Sequence, residues 1–367
     1  MLTILSNGIL NVVTIFLLVI VISLILRKIK QKQVLNNIDK MKKEGGISEI
    51  EEVDIGGIKQ HIVFEGADPS KPICLFIHGG PGSPFPFGVS SRSLFPNITE
   101  NCLAVYFDQR GSGKSYNKNI DKKSMNIEQF ISDANEVVDY VRNKMDQDKI
   151  YLVGNSFGTI VGTELAYRYS DKFHAYIGLG QITNIIEGQK HAYDWLKTEA
   201  TKKSDGKTLA ILTEIGEPPY FYGKQEGKFG DLLNQYPGYN YYDDKTEKAS
   251  VLGLIKGAFI SPDYTLSDIY KVLLSGPKFS LFDSQDLQDE IIRTNFIGRI
   301  NEFKTSIYFI QGKHDKVANY DLAKKYFESI QTIGKKAFIS LENSAHYPNK
   351  EDFTHFEQEL IKIVSSQ

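Results

Sequence analysis

Apolar residues are spread along this chain in three distinct patterns. The first is a near-continuous run from Ile9 to Leu26, broken only by Asn11, Thr14 and Ser23, with no charged side chain before Arg27. A helix of that length reaches about 27 Å, close to the hydrocarbon thickness of a bilayer, and predicts a transmembrane anchor within residues 1–26. The competing reading, a cleaved signal peptide, calls for a basic stretch before the run, whereas Arg27-Lys28-Ile29-Lys30 follows it. Residues 27–46 then read as a basic juxtamembrane helical linker, with Val34, Leu35, Ile38 and Met41 on one stripe and Gly45-Gly46 as its stop. With its lysines after the span, the positive-inside rule predicts a single-pass membrane protein whose main domain is cytoplasmic.

The second pattern begins near Ile47. Glu51 to Glu65, with Gly56-Gly57 at its centre, reads as a β-hairpin. Short apolar runs follow at Ile73–Ile77, Leu103–Phe107, Ile150–Val153, Tyr176–Leu179, Ile307–Ile310 and Ala337–Leu341, as expected for strands buried on both faces of a parallel sheet. Helical spacing separates them, most clearly at Ile127, Phe130, Ile131, Ala134, Val137, Val138 and Val141, with Asn126 and Gln129 placed to cap the start. Further helices are expected over Leu322 to Ile330 and Phe353 to Val364. This alternation predicts an α/β fold, a mostly parallel sheet with helices on both faces, assembled from residues 47–180 and 301–367.

The third pattern interrupts that rhythm. Residues 181–300 carry helical and aromatic sequence with few strand signals, including Pro218 to Tyr222 and Tyr236 to Tyr242. An insertion of this size between strands predicts a mainly helical cap over the strands' C-terminal ends. Its aromatics either line a pocket or form the cap's own core.

Composition narrows the function. Among 367 residues, 41% are hydrophobic and 24% charged, so the chain can bury a large core; its formal net charge of -2 offers no basic face for nucleic acid. Cys74 and Cys102 form neither a C-x-x-C pair nor a disulfide framework, and no H-E-x-x-H or dense ligand cluster marks a metal site. A mechanism without cofactor or metal is expected.

The chemistry-bearing residues sit at strand ends. Gly154-Asn155-Ser156-Phe157-Gly158 follows an apolar strand and opens a helix, the setting in which a G-x-S-x-G turn exposes a serine hydroxyl beside a base. His78-Gly79-Gly80-Pro81-Gly82 follows another strand and can aim backbone N–H groups at a developing oxyanion, the expected donors being those of Gly80 and Phe157. Asp315, in Gln311-Gly312-Lys313-His314-Asp315, is the acid expected to orient a catalytic histidine, with Asp321 as fallback, although its place opening a helix suits a cap. His346, after the strand Ala337–Leu341, is the expected general base; the order Ser156, Asp315, His346 matches the Ser…Asp…His order of one hydrolase class. His78 shapes its loop and is not the base. Gly111-Ser112-Gly113-Lys114-Ser115 mimics the end of a P-loop, but that motif needs glycine where Asp108 stands.

Together, His78–Gly82, Asp108-Gln109-Arg110-Gly111-Ser112-Gly113-Lys114-Ser115 and Gly154–Gly158 resemble the signature set of the proline iminopeptidase branch of the α/β-hydrolases. The resemblance runs from about Ile47 to the C-terminus and is weakest in the cap. It implies the α/β-hydrolase fold, a Ser156–Asp315–His346 triad, an oxyanion hole in the H-G-G-P-G loop, and cap carboxylates that grip a peptide's free N-terminal amine. Glu187, Glu214 and Glu217 are candidates for that grip. The family's G-G-S-W-G becomes Gly154-Asn155-Ser156-Phe157-Gly158 here. The expected function is that of a membrane-anchored serine hydrolase releasing N-terminal residues from short peptides. An esterase or lipase acting on acyl esters is the alternative, and a catalytically silent binding module on the same fold is a third reading.

Overall fold

In the computed structural model, residues 2–236, 238–239 and 257–366 are described, with side chains from Asn11 onward. Pro237, Asn240, Tyr241 and Tyr242 of the aromatic run lie outside them.

Helix α1 (Leu2–Lys43) runs without a break through the expected boundary at Arg27. It ends where Gly45 takes a φ of +98° and the Gly46 N–H turns back to the Met41 carbonyl. Its second half is not a free linker. Arg27, Gln31 and Ile38 are buried, with Val34 and Met41 half-buried on the same stripe, while Leu35 faces outward. The domain-facing stripe thus carries two polar residues, Arg27 and Gln31, besides Val34, Ile38 and Met41.

The hairpin is β1 (Ile47–Ile55) and β2 (Ile58–Gly66), closed by Gly56 and Gly57, both at positive φ. Then come β3 (Ile73–Ile77), β4 (Leu103–Asp108), β5 (Ile150–Asn155), β6 (Phe173–Leu179), β7 (Ser306–Gly312) and β8 (Lys336–Leu341). They form one eight-stranded sheet in the order β1-β2-β4-β3-β5-β6-β7-β8. Only the β1/β2 and β2/β4 pairs are antiparallel.

Alternation along the strands divides the interior into two layers. Leu75, Val105 and Leu152 point to one face, where α3 (Ile127–Met145), α4 (Phe157–Arg168) and α10 (Tyr320–Ser329) contribute Val138, Val161 and Phe327. Phe76, Tyr106 and Val153 point to the other, where Ile98 of α2 (Pro96–Asn101) meets Phe356 and Leu360 of α11 (Lys350–Ser365). The start of α3 departs from a reciprocal cap. Asn126 accepts from the Gln129 N–H, but the Gln129 side chain donates onward to Asp133 at 2.7 Å. Asp321 is likewise not a cap: Asn319 fills that role for α10 and Asp321 is exposed in its first turn.

The inserted region contains α5 (Ile185–Lys202), α6 (Gly206–Ile215), α7 (Lys224–Gln235), α8 (Leu266–Tyr270) and α9 (Gln285–Ile292), with π-helical turns continuing α8 as far as Asp283. Tyr193, Tyr220, Phe229 and Tyr236 pack with Leu196 and Leu212 into a separate core. These aromatics therefore hold the cap's helices together.

Candidate active site

Ser156 sits at the sharp turn between β5 and α4 with φ +51° and ψ −118°, a conformation an L-residue adopts only under constraint. The two flanking glycines explain how the turn is tolerated. A Cβ on Gly158 would lie 2.1 Å from the Ile77 carbonyl oxygen, and one on Gly154 would lie 2.7 Å from that of Gly158. The turn is held by the Ser156 N–H, which donates to Leu179 O at 2.9 Å, and by Thr159, whose hydroxyl donates to Ser156 O at 2.6 Å. Phe157 opens α4 and packs edge-on against Phe130, with ring centroids 5.2 Å apart. Its N–H belongs to the first helical turn, whose donors have no partner within the helix.

The loops after β7 and β8 deliver the other two groups. His346 Nε2 lies 2.9 Å from Ser156 Oγ, and His346 Nδ1 lies 3.0 Å from Asp315 Oδ2. Asp315 is buried, and three donors hold its carboxylate: the Val317 and Ala318 N–H groups on one oxygen and the Gln311 amide on the other. With Asp315 an acceptor only, Nδ1 carries the proton and Nε2 faces the serine hydroxyl as acceptor. The loops are packed directly on each other, because a Cβ on Gly312 would meet Ala345 O at 2.0 Å. Ser344 donates to Asp352 in α11 at 2.5 Å, fixing the base loop from behind.

The H-G-G-P-G loop lies over the nucleophile turn. A Cβ at Gly79 would come within 3.1 Å of Ser156 Cβ, and Gly80 takes a φ of +111°. His78 locks this loop. Its Nδ1–H donates to Gly79 O at 2.7 Å, and its Nε2 accepts the Gln109 N–H at 3.0 Å while Gln109 returns an amide bond to His78 O. Burial pushes the His78 pKa down to about 4, so the ring is neutral at physiological pH, as both bonds require.

The D-Q-R-G stretch holds the neighbourhood together. Asp108 accepts from the Val89 and Lys114 N–H groups and from Tyr264 Oη. Arg110 makes a buried bidentate pair with Asp133 and reaches back to Gly56 O in the hairpin. Asp133 and Tyr264 lie far from any motif, and no local sequence signal marked them.

The cap carboxylates divide by exposure. Glu214 is exposed and paired with Lys228, and Glu217 is exposed beside Pro218. Glu187, in the first turn of α5, is half-buried and 3.1 Å from Lys190; the adjacent Gly188 faces the Val317 carbonyl of the acid loop. Glu226, not singled out from the sequence, is half-buried in the first turn of α7, its pKa raised by burial and by Asp231. Burial raises the pKa of Tyr239 most, and the negative charges of Asp315 and Glu226 raise it further. Nothing in the spacing around Glu226 distinguished it from other acidic residues of the cap.

With sheet order, nucleophile turn and strand-end loops in place, the class is defined. The family model for the alpha/beta hydrolase fold matches residues 72–353, and the chain belongs to that family. Within it the chain is proline iminopeptidase-like. It is 30% identical over 317 residues to the Bacillus subtilis protein named Probable aminopeptidase YbaC, covering 86% of this chain and 96% of that one. It is 26% identical over 314 residues to a proline iminopeptidase of Elizabethkingia meningoseptica, covering 84% and 95%. Its fold matches that of a proline iminopeptidase from Mycobacterium smegmatis with a TM-score of 0.60 at 14% identity, over 87% of this chain and 98% of that one.

Proposed function

We propose that this hydrolase is a membrane-anchored serine aminopeptidase that releases a small N-terminal residue, proline or similar, from short peptides. The observation that carries the reading is the continuous relay Ser156 Oγ, His346, Asp315, with both links near 3 Å. Ser156 attacks the scissile carbonyl as His346 Nε2 takes its proton, and Asp315 stabilises the resulting imidazolium. The N–H groups of Gly80 and Phe157 receive the oxyanion. His346 then protonates the leaving amine and activates the water that hydrolyses the acyl-enzyme.

The free N-terminal amine of such a substrate needs a carboxylate close to the triad. Glu226 and Glu187 suit that role better than the exposed Glu214 and Glu217, because a partly desolvated carboxylate attracts an ammonium more strongly. The anchor is the outer half of α1, where side chains from Val12 to Leu26 are mostly exposed and apolar. The lysines beyond it support a cytoplasmic catalytic domain.

The full chain should hydrolyse proline aryl-amide and spare its N-acetylated form, and Glu226→Gln should raise KM for the free-amine substrate by at least about tenfold. Cleavage of short-chain acyl esters alone would make the protein an esterase instead.

A further inference from the structure

The helical segment 266–283 is apolar on two opposite faces. Ile269, Val272 and Phe279 are buried on the domain. On the other side Leu266 (52% exposed), Tyr270 (60%), Leu274 (57%) and Phe282 (59%), with Leu273 between them, form a stripe that no described residue covers. Their spacing of four, then three and four residues keeps the first four side chains on one helical face. A water-facing element does not gain from such a stripe.

Position says what covers it. Arg27 is the first charge after the apolar run, so it marks the level at which α1 leaves the hydrocarbon. Its guanidinium is buried in the domain, where Nη2 donates to Tyr264 O at 2.7 Å and Nε donates to Phe259 O at 2.9 Å; Gln31, one turn on, donates to Ser261 O at 2.9 Å. The backbone at Tyr264 therefore lies at the bilayer boundary. Leu266 follows two residues later, a span of at most about 7 Å. Leu94, also partly exposed, sits beside Gly257 at the start of the same stretch.

We propose that the Leu266, Tyr270, Leu273, Leu274 and Phe282 face is a membrane-docking surface, seated in the headgroup and upper acyl layer of the bilayer that α1 enters. The assignment rests on the anchor reading of α1. An interfacial helix of this kind sinks about 5–10 Å into that layer, and a tyrosine suits its polar edge. The docked face is also one side of the catalytic rim. Its inner surface carries Gly276, where a Cβ would lie 2.7 Å from the carbonyl oxygen of Gly82 in the H-G-G-P-G loop. The membrane thus supports the element on which the oxyanion loop rests.

The test uses the full chain in phosphatidylcholine vesicles containing phosphatidylglycerol, with a nitrobenzoxadiazole probe on one introduced thiol. Native Cys74 and Cys102 are buried and do not compete for label. Leu274→Cys and, independently, Tyr270→Cys should give blue-shifted emission quenched at least about threefold more by shallow spin-labelled lipid than a probe at Lys324→Cys on α10. A probe at Val19→Cys should be quenched by deep spin-labelled lipid. Quenching at Val19 with solvent-like readings at both 270 and 274 would overturn the docking face and leave the anchor standing. No quenching at Val19 would refute the anchor and the docking face with it. Blue-shifted probes untouched by either lipid would mean that a second copy covers the stripe, which also overturns the proposal.

Discussion

The C-terminal edge of the sheet and the foot of α1 both hide polar side chains from water, but they do so over different distances along the chain. At the sheet edge each candidate catalytic group leaves a strand within a few residues, and Asp315 is held by its own loop through the Val317 and Ala318 N–H groups. At the foot of α1, Arg27 and Gln31 reach carbonyls 230 or more residues away, with no motif at either end. The first arrangement starts from short loops at strand ends. The second is a tertiary joint whose role is to fix one body against another.

The largest test of that contrast is Ser156→Ala. Removing one hydroxyl from the turn leaves core volume unchanged, so turnover should fall by about 10⁴-fold or more while the melting temperature in detergent stays put. Retained turnover would end the triad reading, and a large melting shift would show that the turn serves the fold as well. Asp315→Asn should lower kcat by about 10⁴-fold by favouring the wrong histidine tautomer, whereas Asp321→Asn should stay within about twofold. Reversal of those two results would reassign the acid.

Smaller effects probe the joints. Asp133→Ala leaves Arg110 buried without its partner and should destabilise the fold by about 3–5 kcal/mol in urea titrations, with normal turnover per folded molecule. Asp108 supplies the pH dependence. Burial raises its pKa from 3.8 to about 6 against the opposing pull of its three donors. A raised carboxyl contributes stability that is full below pH 3.8 and lost as pH rises through about 6. Its share of the change is about 2–3 kcal/mol, and Asp108→Asn should flatten the stability profile between pH 4 and 6 by that amount. Arg27→Met removes two hydrogen bonds to carbonyls and should cost about 1–3 kcal/mol in detergent while leaving kcat on soluble peptides unchanged. A loss of kcat there would mean that the joint and the catalytic edge are not separate after all.

What was legible in the residues follows the same division. The strand runs at Ile73–Ile77 and Ile307–Ile310, the G-x-S-x-G turn, and the order of Ser156, Asp315 and His346 could be read directly, because periodicity and turn chemistry act over a few neighbours. The cap's helical character was legible for the same reason. Its aromatic clusters were ambiguous, since a tyrosine that packs and a tyrosine that binds have the same local sequence. Glu226 was passed over, because the burial that separates it and Glu187 from Glu214 and Glu217 depends on how the cap helices pack together.

The amino-acid sequence by itself determined the alternation of strands and helices, the apolar span of α1 and the placing of chemistry at strand ends, because each depends on interactions within a few residues. Only the tertiary structure decided that α1 continues past Arg27 as one helix docked on the domain, that His78 is a neutral lock between two loops, and that Asp133 and Tyr264 complete the D-Q-R-G stretch. Those outcomes turn on burial and on partners brought together by the sheet order. A polar side chain on a helix reads as solvent-facing until a carbonyl from a distant segment is set against it.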